Sequence, residues 1–229
     1  MEHLSNGFTL ELSENAFPLS TDSIALSGFV KLQKNANVLD LGAGCGTLGL
    51  LLCAKNPCCT ITGIEIDTCA HRMALHNAVQ NHITDRLTSI CADAAEVPSL
   101  VKAGSYDCCV SNPPYFSAGP QSIKTPTARR EDLLSMEALF RSAAWALKYG
   151  GDFFLVHRPE RLAQLFACAC KNNLEPKRLL LLRHKPDGPV ALTLVQCRKG
   201  GNPGLIWEEA CMFDKNGAPT PYYKELYHL

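Results

Sequence analysis

The chain has 229 residues and a formal net charge of zero, with 22 Lys and Arg residues against 22 Asp and Glu residues. This length fits one sizeable domain and is short for two domains with independent cores. Apolar residues make up 46% of the chain and charged residues 19%, as in a globular protein. No apolar run is long enough to span a membrane, and the first residues lack the features of a secretory signal. We therefore expect a cytoplasmic protein with no membrane association.

From about residue 37 onward, strand-like and helix-like segments alternate, which predicts βαβ units in a doubly wound sheet. The predicted strands are 38–41, 59–66, 87–91, 106–111, 153–157, 178–182 and 190–197. The predicted helices are 47–55, one from Asp67, 133–148 with a stop at Gly150-Gly151, and one from Pro159. The fold class is therefore α/β, with a mostly parallel, Rossmann-like sheet of seven strands that includes an antiparallel C-terminal strand. We expect a single domain over 37–229, preceded by an extension over 1–36.

Twelve cysteines raise the question of a metal site or of disulfides. They stand at positions 45, 53, 58, 59, 69, 91, 108, 109, 168, 170, 197 and 211. This series contains no C-x-x-C spacing, which argues against a zinc site. Several of the cysteines lie in apolar runs, where cysteine behaves as a small apolar residue. We expect free thiols and no bound metal.

A glycine-rich loop follows the first strand of the alternating region. Its sequence is Asp40-Leu41-Gly42-Ala43-Gly44-Cys45-Gly46, and it stands at the sheet edge where open α/β folds bind ligands. Glu65 ends the next strand, where a carboxylate can accept hydrogen bonds from ribose hydroxyls, and Ile66 would lie against an adenine ring. Asp93 follows the third strand and could accept a hydrogen bond from the adenine amino group.

The same loop allows a second interpretation. The stretch Gly44-Cys45-Gly46-Thr47-Leu48-Gly49 is formally the G-x-G-x-x-G dinucleotide fingerprint. This fingerprint starts three residues beyond the strand end, and Asp40 would repel a pyrophosphate. An aspartate is favourable beside the ammonium group of a methionine tail. We therefore predict S-adenosylmethionine as the cofactor, with an NAD-dependent oxidoreductase as the weaker alternative.

Asn112-Pro113-Pro114-Tyr115 follows a short apolar strand and carries the predicted chemistry. The two prolines have fixed φ angles and no backbone donors, and Asn112 before them is held extended. The Asn112 amide oxygen and the Pro113 carbonyl can then accept both hydrogens of a planar amine, while Tyr115 offers a ring for stacking. This loop predicts chemistry on an exocyclic or amide nitrogen. The plainer interpretation is a rigid turn at a strand end.

The glycine loop, residues 63–67 and the N-P-P-Y loop together resemble class I methyltransferases that act on amino groups. Segment 17–26, which contains Thr21, resembles one bacterial family in particular, the tRNA1(Val) adenine-37 N6-methyltransferases. The similarity continues through 128–131, 158–162 and a Tyr-Lys-Glu-Leu-Tyr ending, and so covers nearly the whole chain. Residues 217–221 depart from the pattern of that family.

The resemblance implies transfer of a methyl group from S-adenosylmethionine to the N6 amine of an adenine in RNA. The expected target is adenosine 37 of a valine tRNA. The resemblance also implies that Asn112, Pro113, Pro114 and Tyr115 are catalytic and that Asn112 touches the cofactor as well. Thr21, within the extension 1–36, is expected to close over the cofactor.

The charge is spread unevenly. Residues 112–200 hold 14 basic and 7 acidic side chains, whereas residues 1–111 hold 6 and 11. A polyanion would therefore meet one part of the molecule only. Lys124, Arg129 and Arg130 follow the N-P-P-Y loop and are expected to contact phosphates in a tRNA anticodon loop. The plainer interpretation is an ordinary solvated face.

Two further functions stay open. A glutamine N5-methyltransferase acting on release factors would present the same two hydrogens on an amide nitrogen. Such enzymes carry an additional N-terminal helical domain, for which the 36 residues before the first strand are too few. The second alternative is a non-catalytic, cofactor-binding adaptor, against which the intact glycine and N-P-P-Y loops argue.

Overall fold

The computed structural model describes residues 2–4, 7–12, 19–113 and 135–228. The strands of this part of the chain are β1 (Glu2–His3), β2 (Thr9–Leu10), β3 (Asn37–Leu41), β4 (Thr60–Glu65), β5 (Leu87–Cys91), β6 (Tyr106–Ser111), β7 (Leu147–His157), β8 (Leu174–Arg183), β9 (Val190–Lys199) and β10 (Ile206–Cys211). Its α-helices are α1 (Thr21–Phe29), α2 (Thr47–Lys55), α3 (Thr68–Gln80), α4 (Val97–Leu100), α5 (Met136–Ala146), α6 (Leu162–Lys171) and α7 (Pro221–Tyr227). Short 3-10 helices cover Ala94–Glu96 and Pro159–Arg161.

One sheet of eight strands organises the described chain, in the order β10–β8–β9–β7–β6–β3–β4–β5. β9 runs antiparallel to both of its neighbours, β7 and β8, and the other pairings of this sheet are parallel. β1 and β2 form a separate antiparallel pair. The predicted α/β class, with a mostly parallel sheet and an antiparallel strand near the C-terminus, is confirmed.

The predicted count of seven strands is wrong, because β10 adds an eighth at one edge. β10 pairs in parallel with β8 along its full length. Most of its residues are exposed, so it shows neither the alternation nor the continuous apolar run that marks a strand in sequence. The carboxylates of Glu208 and Glu209 lie 3.8 and 3.7 Å from the guanidinium groups of Arg178 and Arg183. Charge pairs between neighbouring strands therefore accompany the backbone pairing.

The predicted end of the helix over 133–148 is also wrong. α5 ends at Ala146 and β7 follows at once, so the pair Gly150-Gly151 lies inside a strand. At this point the register between β6 and β7 shifts. A Cβ on Gly151 would lie 2.9 Å from the carbonyl oxygen of Asp107. The glycine therefore permits two backbones to approach each other, and it does not terminate the helix.

Helices cover both faces of the sheet, and each face has its own apolar core. Side chains of α1, α2 and α7 contribute to the first core, and those of α5 and α6 to the second. Along β3, Val38 belongs to the first core while Leu39 and Leu41 belong to the second, as the two-residue period of a strand requires. Asp40 shares the face of Val38, which α1 and α2 cover.

Within the described ranges, no helix combines the length and apolar content that a membrane crossing needs. In the same ranges, no group of three or more His, Cys, Asp or Glu side chains is placed to hold a metal ion. The twelve cysteines all lie in the described part of the chain, and each is a free thiol. The prediction of free thiols agrees with this finding.

Asn77 on α3 joins three parts of the chain through buried hydrogen bonds. Its Nδ2 donates to the carbonyl oxygens of Glu11 and Cys45, both over 2.9 Å, and its Oδ1 accepts from the Glu11 amide over 2.9 Å. We expect Asn77→Ala to lower the free energy of unfolding by about 1–3 kcal/mol, because buried backbone groups would lose their partner. Urea unfolding measures this change.

Gln80→Ala is the matched control, since Gln80 is exposed on the same helix. The control should change the free energy of unfolding by less than about 0.5 kcal/mol. Equal effects of the two substitutions would contradict a stabilising role for the Asn77 side chain.

Candidate functional site

The loops after β3 and β6 begin side by side at the carboxyl edge of the sheet. β4 and β5 extend the sheet on one side of β3, while β6 and β7 extend it on the other. Open α/β sheets bind ligands in the crevice at such a switch point. Ser111, the last residue of β6, donates a hydrogen bond from its Oγ to the carbonyl oxygen of Leu41, the last residue of β3, over 2.7 Å. Both residues are buried, so the starting points of the two loops are fixed relative to each other.

The glycine loop contains three positions that glycine adopts most easily, and one of them is Gly46 with a φ angle of +80°. Gly42 and Gly44 have φ angles of +77° and +56°, in the left-handed region. A Cβ on either would meet no atom of the described residues within 4 Å. Backbone conformation therefore requires the glycines, and the loop backbone borders open space. Gly46, which precedes α2, differs because its Cβ would lie 3.2 Å from the Ala74 Cβ, so it permits α2 to begin close to α3.

Glu65, the last residue of β4, holds the glycine loop in place. Its Oε2 accepts a hydrogen bond from the Gly44 amide over 2.8 Å, and its Oε1 accepts one from the Asp67 amide over 2.7 Å. Asp67 in turn caps α3 by accepting from the Ala70 amide, as predicted. The sequence predicts that Glu65 contacts the ribose of the cofactor. It gives no signal of these two hydrogen bonds to the backbone. A carboxylate oxygen has a second lone pair, so each can still accept a ligand hydroxyl.

Asp40 is a buried carboxylate with an altered proton affinity. The residue is 1% exposed. Burial, and to a smaller extent the neighbouring Glu65 carboxylate, raise the pKa of Asp40 to about 7. Among the described residues, its Oδ2 has no hydrogen-bond partner. Because a buried charge without a partner is costly, a cationic group placed beside Asp40 would stabilise its ionised form.

Ile66 and Asp93 stand where β4 and β5 end. Ile66 follows Glu65 directly and is 42% exposed, so its apolar side chain is accessible to a ligand. Asp93 accepts a hydrogen bond from the Ala95 amide over 2.8 Å and so caps the 3-10 helix Ala94–Glu96. The capping role was not anticipated from the sequence. Contact of either side chain with an adenine ring stays a prediction.

Asn112 and Pro113 follow β6, and Asn112 contacts the N-terminal helix α1. Its Nδ2 donates a hydrogen bond to the Oγ of Ser23 over 2.9 Å. Thr21 is the residue that the sequence selects from this segment, and it is exposed in the first turn of α1. Ser23 could not be identified from the sequence, because residues 89 positions apart leave no local signal of their contact.

Five of the predicted site residues lie outside the described part of the chain. They are Pro114, Tyr115, Lys124, Arg129 and Arg130. Catalysis and base stacking by the first two, and phosphate contacts by the other three, stay predictions.

The described residues fit the predicted cofactor. The buried carboxylate of Asp40 suits an ammonium group, and the backbone at Gly42 and Gly44 borders space that a ligand can enter. Glu65 retains acceptor capacity for ribose hydroxyls, and Ile66 presents an exposed apolar surface beside it. A pyrophosphate in the same place would meet the Asp40 carboxylate, which disfavours a dinucleotide.

Residues 22–167 match the methyltransferase small domain family. The fold, the site and this match make the protein a methyltransferase.

Three relatives share one name, tRNA1(Val) (adenine(37)-N6)-methyltransferase. The protein from Bacteroides fragilis is 31% identical over 193 residues, covering 82% of this chain and 80% of the relative. The protein from Shewanella halifaxensis is 34% identical over 169 residues, covering 73% and 68%. The protein from Bacteroides thetaiotaomicron is 29% identical over 222 residues, covering 96% and 92%. The chain belongs to the family of these tRNA1(Val) (adenine(37)-N6)-methyltransferases, which confirms the resemblance and the enzyme class that the sequence predicts.

Solved structures support the fold alone. A crystal structure of a predicted O-methyltransferase from Agrobacterium tumefaciens superposes with a TM-score of 0.75 at 20% identity, covering 91% of this chain and 96% of that one. A geranyl diphosphate methyltransferase in complex with S-adenosylmethionine has a TM-score of 0.57 at 13% identity, covering 77% and 84%. The architecture is thus shared among methyltransferases with different named substrates.

The raised pKa of Asp40 predicts a pH-dependent stability. Between its usual pKa of 3.8 and the folded value of about 7, the folded protein binds a proton that the unfolded chain has lost. The Asp40 contribution to stability is therefore complete below about pH 4 and falls as the pH rises to about 7, by at most about 1.4 kcal/mol per pH unit. Urea unfolding of the ligand-free protein from pH 4 to pH 8 measures this slope.

Asp40→Asn should remove this contribution, because the amide does not titrate in that range. Subtracting its unfolding curve from that of the wild-type protein isolates the Asp40 contribution from those of other groups. Parallel curves for the two proteins would show that the pKa of Asp40 is not raised.

Proposed function

We propose that the protein transfers a methyl group from S-adenosylmethionine to the N6 amine of an adenine in tRNA, with adenosine 37 of a valine tRNA as the target. The observation that carries this proposal is the position of Asn112 and Pro113 at the switch point, with their loop fixed to the end of β3 by Ser111. The Asn112 Oδ1 and the Pro113 carbonyl oxygen, the two proposed acceptors for an amine, therefore lie beside the glycine loop. The names of the relatives support tRNA as the substrate.

In this proposal the cofactor lies along the ends of β3, β4 and β5. Asp40 faces the ammonium group, the backbone of Gly42 and Gly44 passes the methionine tail, and Glu65 accepts from the ribose. Ile66 covers one face of the adenine ring, and the second Asp93 oxygen accepts from its amino group. When bound, S-adenosylmethionine supplies a methyl group on a positively charged sulfur.

Asn112 and Pro113 act on the target amine. The lone pair of an exocyclic adenine nitrogen is delocalised into the ring, which makes the nitrogen a poor nucleophile. Hydrogen bonds from the amine to the Asn112 Oδ1 and the Pro113 carbonyl oxygen draw electron density onto the nitrogen. They also stabilise the positive charge that develops on it as the N–CH₃ bond forms and the S–CH₃ bond breaks. The products are S-adenosylhomocysteine and, after the nitrogen loses one proton to solvent, the N6-methylated base. Tyr115 stacks on the base, a contact worth about 1–3 kcal/mol.

The N-terminal extension, residues 1–36, is proposed to close over this site. Three sets of contacts support the proposal. Thr9 exchanges hydrogen bonds of 2.8 Å with the Asn81 side chain, and Glu11 bonds to Asn77 on the same helix. Asn77 also donates to the Cys45 carbonyl of the glycine loop, and Ser23 contacts Asn112. The extension is therefore connected to both loops of the site.

The contacts with tRNA around the target base, and the cellular location of the enzyme, are proposed from the sequence and from the family. Lys124, Arg129 and Arg130 would contact phosphates next to the target base. The base would leave its stack in the anticodon loop, at a cost of a few kcal/mol. The enzyme would act in the cytoplasm, where tRNA is modified.

A glutamine N5-methyltransferase is the second candidate, because an amide nitrogen would fit the same two acceptors. The relatives favour RNA, since one that is named for tRNA aligns with 96% of this chain and over 92% of its own length. An NAD-dependent oxidoreductase is disfavoured by family membership and by the buried Asp40 carboxylate.

Incubation with labelled S-adenosylmethionine and separate pools of tRNA, rRNA and release factors tests the function. We expect label in the tRNA pool, and with transcribed valine tRNA we expect N6-methyladenosine at position 37. Replacing adenosine 37 by guanosine in that transcript should abolish the label. Label in the release factors and not in tRNA would assign the second candidate instead.

Asn112→Ala should lower the turnover of tRNA methylation by about 10²-fold, the usual effect of losing one oriented contact in a transition state. The dissociation constant of S-adenosylhomocysteine, measured by calorimetry, should change by less than about fivefold. Turnover within about threefold of the wild-type value would contradict the proposed role of this side chain.

A further inference from the structure

Ser23 on α1 contacts Asn112, although 89 positions separate the two residues in the sequence. We propose that Ser23 is a positioning residue for methyl transfer, whose hydroxyl orients the Asn112 amide so that Oδ1 faces the acceptor nitrogen. This inference rests on the proposed function, since it needs Asn112 to accept a hydrogen bond from that nitrogen.

The contact between the two residues is a partly buried hydrogen bond of ordinary length. Ser23 is 7% exposed, and its Oγ accepts a hydrogen bond from the Asn112 Nδ2 over 2.9 Å. Because the Ser23 end of this hydrogen bond is buried, water competes with it less than at an exposed site, and the bond restricts the rotation of the amide.

The buried face of α1 and the alternation of side chains along β6 bring the Ser23 and Asn112 side chains together. On α1, Ser23 shares one buried face with Leu26 and Ser27, at the three- and four-residue spacing of a helix. Leu26 lies in the same apolar core as Val110 of β6. Because strand side chains alternate, a side chain two positions beyond Val110 starts toward the same face, and that position is Asn112. Packing of α1 on the sheet thus sets Ser23 against the first residue of the catalytic loop.

An amide side chain has one donor end and one acceptor end, so its orientation decides what it can bind. With Nδ2 directed to Ser23, Oδ1 is the end that points away from α1 and can accept from an amine. If the amide turned over, its NH₂ would face the NH₂ of the base, and two donors would oppose each other. The Ser23 hydroxyl can both accept and donate, and in the orientation that can react it accepts from Nδ2, so that this donor is paired while Oδ1 faces the base.

The cap of α1 uses the Ser23 backbone amide, and the Ser23 hydroxyl adds one longer contact, in which its Oγ accepts from the Ser20 Oγ over 3.5 Å. Ser20 caps the helix by accepting a hydrogen bond from the Ser23 backbone amide over 3.3 Å. Ser23→Ala keeps that amide, so the cap survives the substitution. Removal of the hydroxyl therefore separates the positioning of Asn112 from the formation of the helix.

Ser27 offers a matched control one turn further along α1. It is 2% exposed, and its Oγ donates to the Ile24 carbonyl over 2.8 Å and accepts from the Lys55 Nζ over 3.4 Å. Ser27→Ala removes a hydroxyl of similar burial from the same helix without touching Asn112. Any general effect of loosening α1 should appear in this variant as well.

The experiment measures kcat and KM for valine tRNA and for S-adenosylmethionine with wild-type protein and three variants. Ser23→Ala should lower kcat about tenfold, the effect of losing one partly buried hydrogen bond, while both KM values stay within about twofold. Ser23→Thr, which keeps the hydroxyl, should recover most of the rate. Ser27→Ala should leave kcat within about twofold of the wild-type value.

A second background tests orientation directly. In Asn112→Asp both side-chain oxygens are acceptors, so turning the group over changes nothing. Ser23→Ala should therefore cost less than about twofold in single-turnover rate when combined with Asn112→Asp, although it costs about tenfold in the wild-type background.

The outcomes separate the two proposals. Wild-type protein that methylates release factors and not tRNA overturns the proposed substrate, and the same variants then test Ser23 on that amide nitrogen. An active wild-type protein whose kcat is unchanged by Ser23→Ala, or is lowered equally by Ser27→Ala, overturns the positioning role alone. Equal losses in the wild-type and Asn112→Asp backgrounds overturn the orientation argument. Wild-type protein that methylates no pool overturns both proposals.

Discussion

The parallel pairing of β3 with β6 is the constraint on which the rest of the site depends. Cys108, Cys109 and Val110 lie opposite Val38, Leu39 and Asp40 in this pair. A slip of one residue in β6 would turn Val110 out of the core beneath α1 and send Asn112 to the opposite face. Burial of apolar side chains on both faces of the sheet therefore fixes the register, and the register places Asn112 and Pro113, the proposed amine acceptors, beside the glycine loop. The Ser111 hydrogen bond to Leu41 secures the same alignment at the strand ends.

Around this pair, polar side chains with several partners hold the loops to the scaffold. Glu65 accepts from the amides of Gly44 and Asp67, and Asn77 connects the Cys45 carbonyl to the N-terminal segment. Each of these side chains satisfies backbone groups that regular secondary structure leaves unpaired. A binding loop of left-handed glycines would otherwise sample many conformations. Rigidity of the site thus comes from side chains on β4 and α3, outside the loop itself.

Local patterns in the sequence predict the elements near the site well and the periphery less well. The strands that end at Leu41 and Ser111 are marked by apolar runs followed closely by glycine or proline, and both predicted strand ends hold, while the strand predicted over 59–66 is one residue shorter at each end. β10 was missed because an exposed edge strand carries no apolar signature. The prediction of a helix end at Gly150-Gly151 was wrong because a register shift between strands has no local signal. Ser23 was missed for a related reason: its importance comes from a contact that exists only after α1 packs on the sheet.

The acidic pair on β10 has a consequence for the behaviour of the protein in solution. β10 is the outermost strand of the sheet and also carries Ile206 and Trp207, each 63% exposed. A sheet edge with exposed apolar side chains is a template for joining the edge of another molecule. Glu208 and Glu209 follow directly, and two such edges brought together would set like charges close to each other. Charged residues beside an exposed apolar edge strand therefore disfavour the pairing of one β10 with another, as gatekeeper residues do.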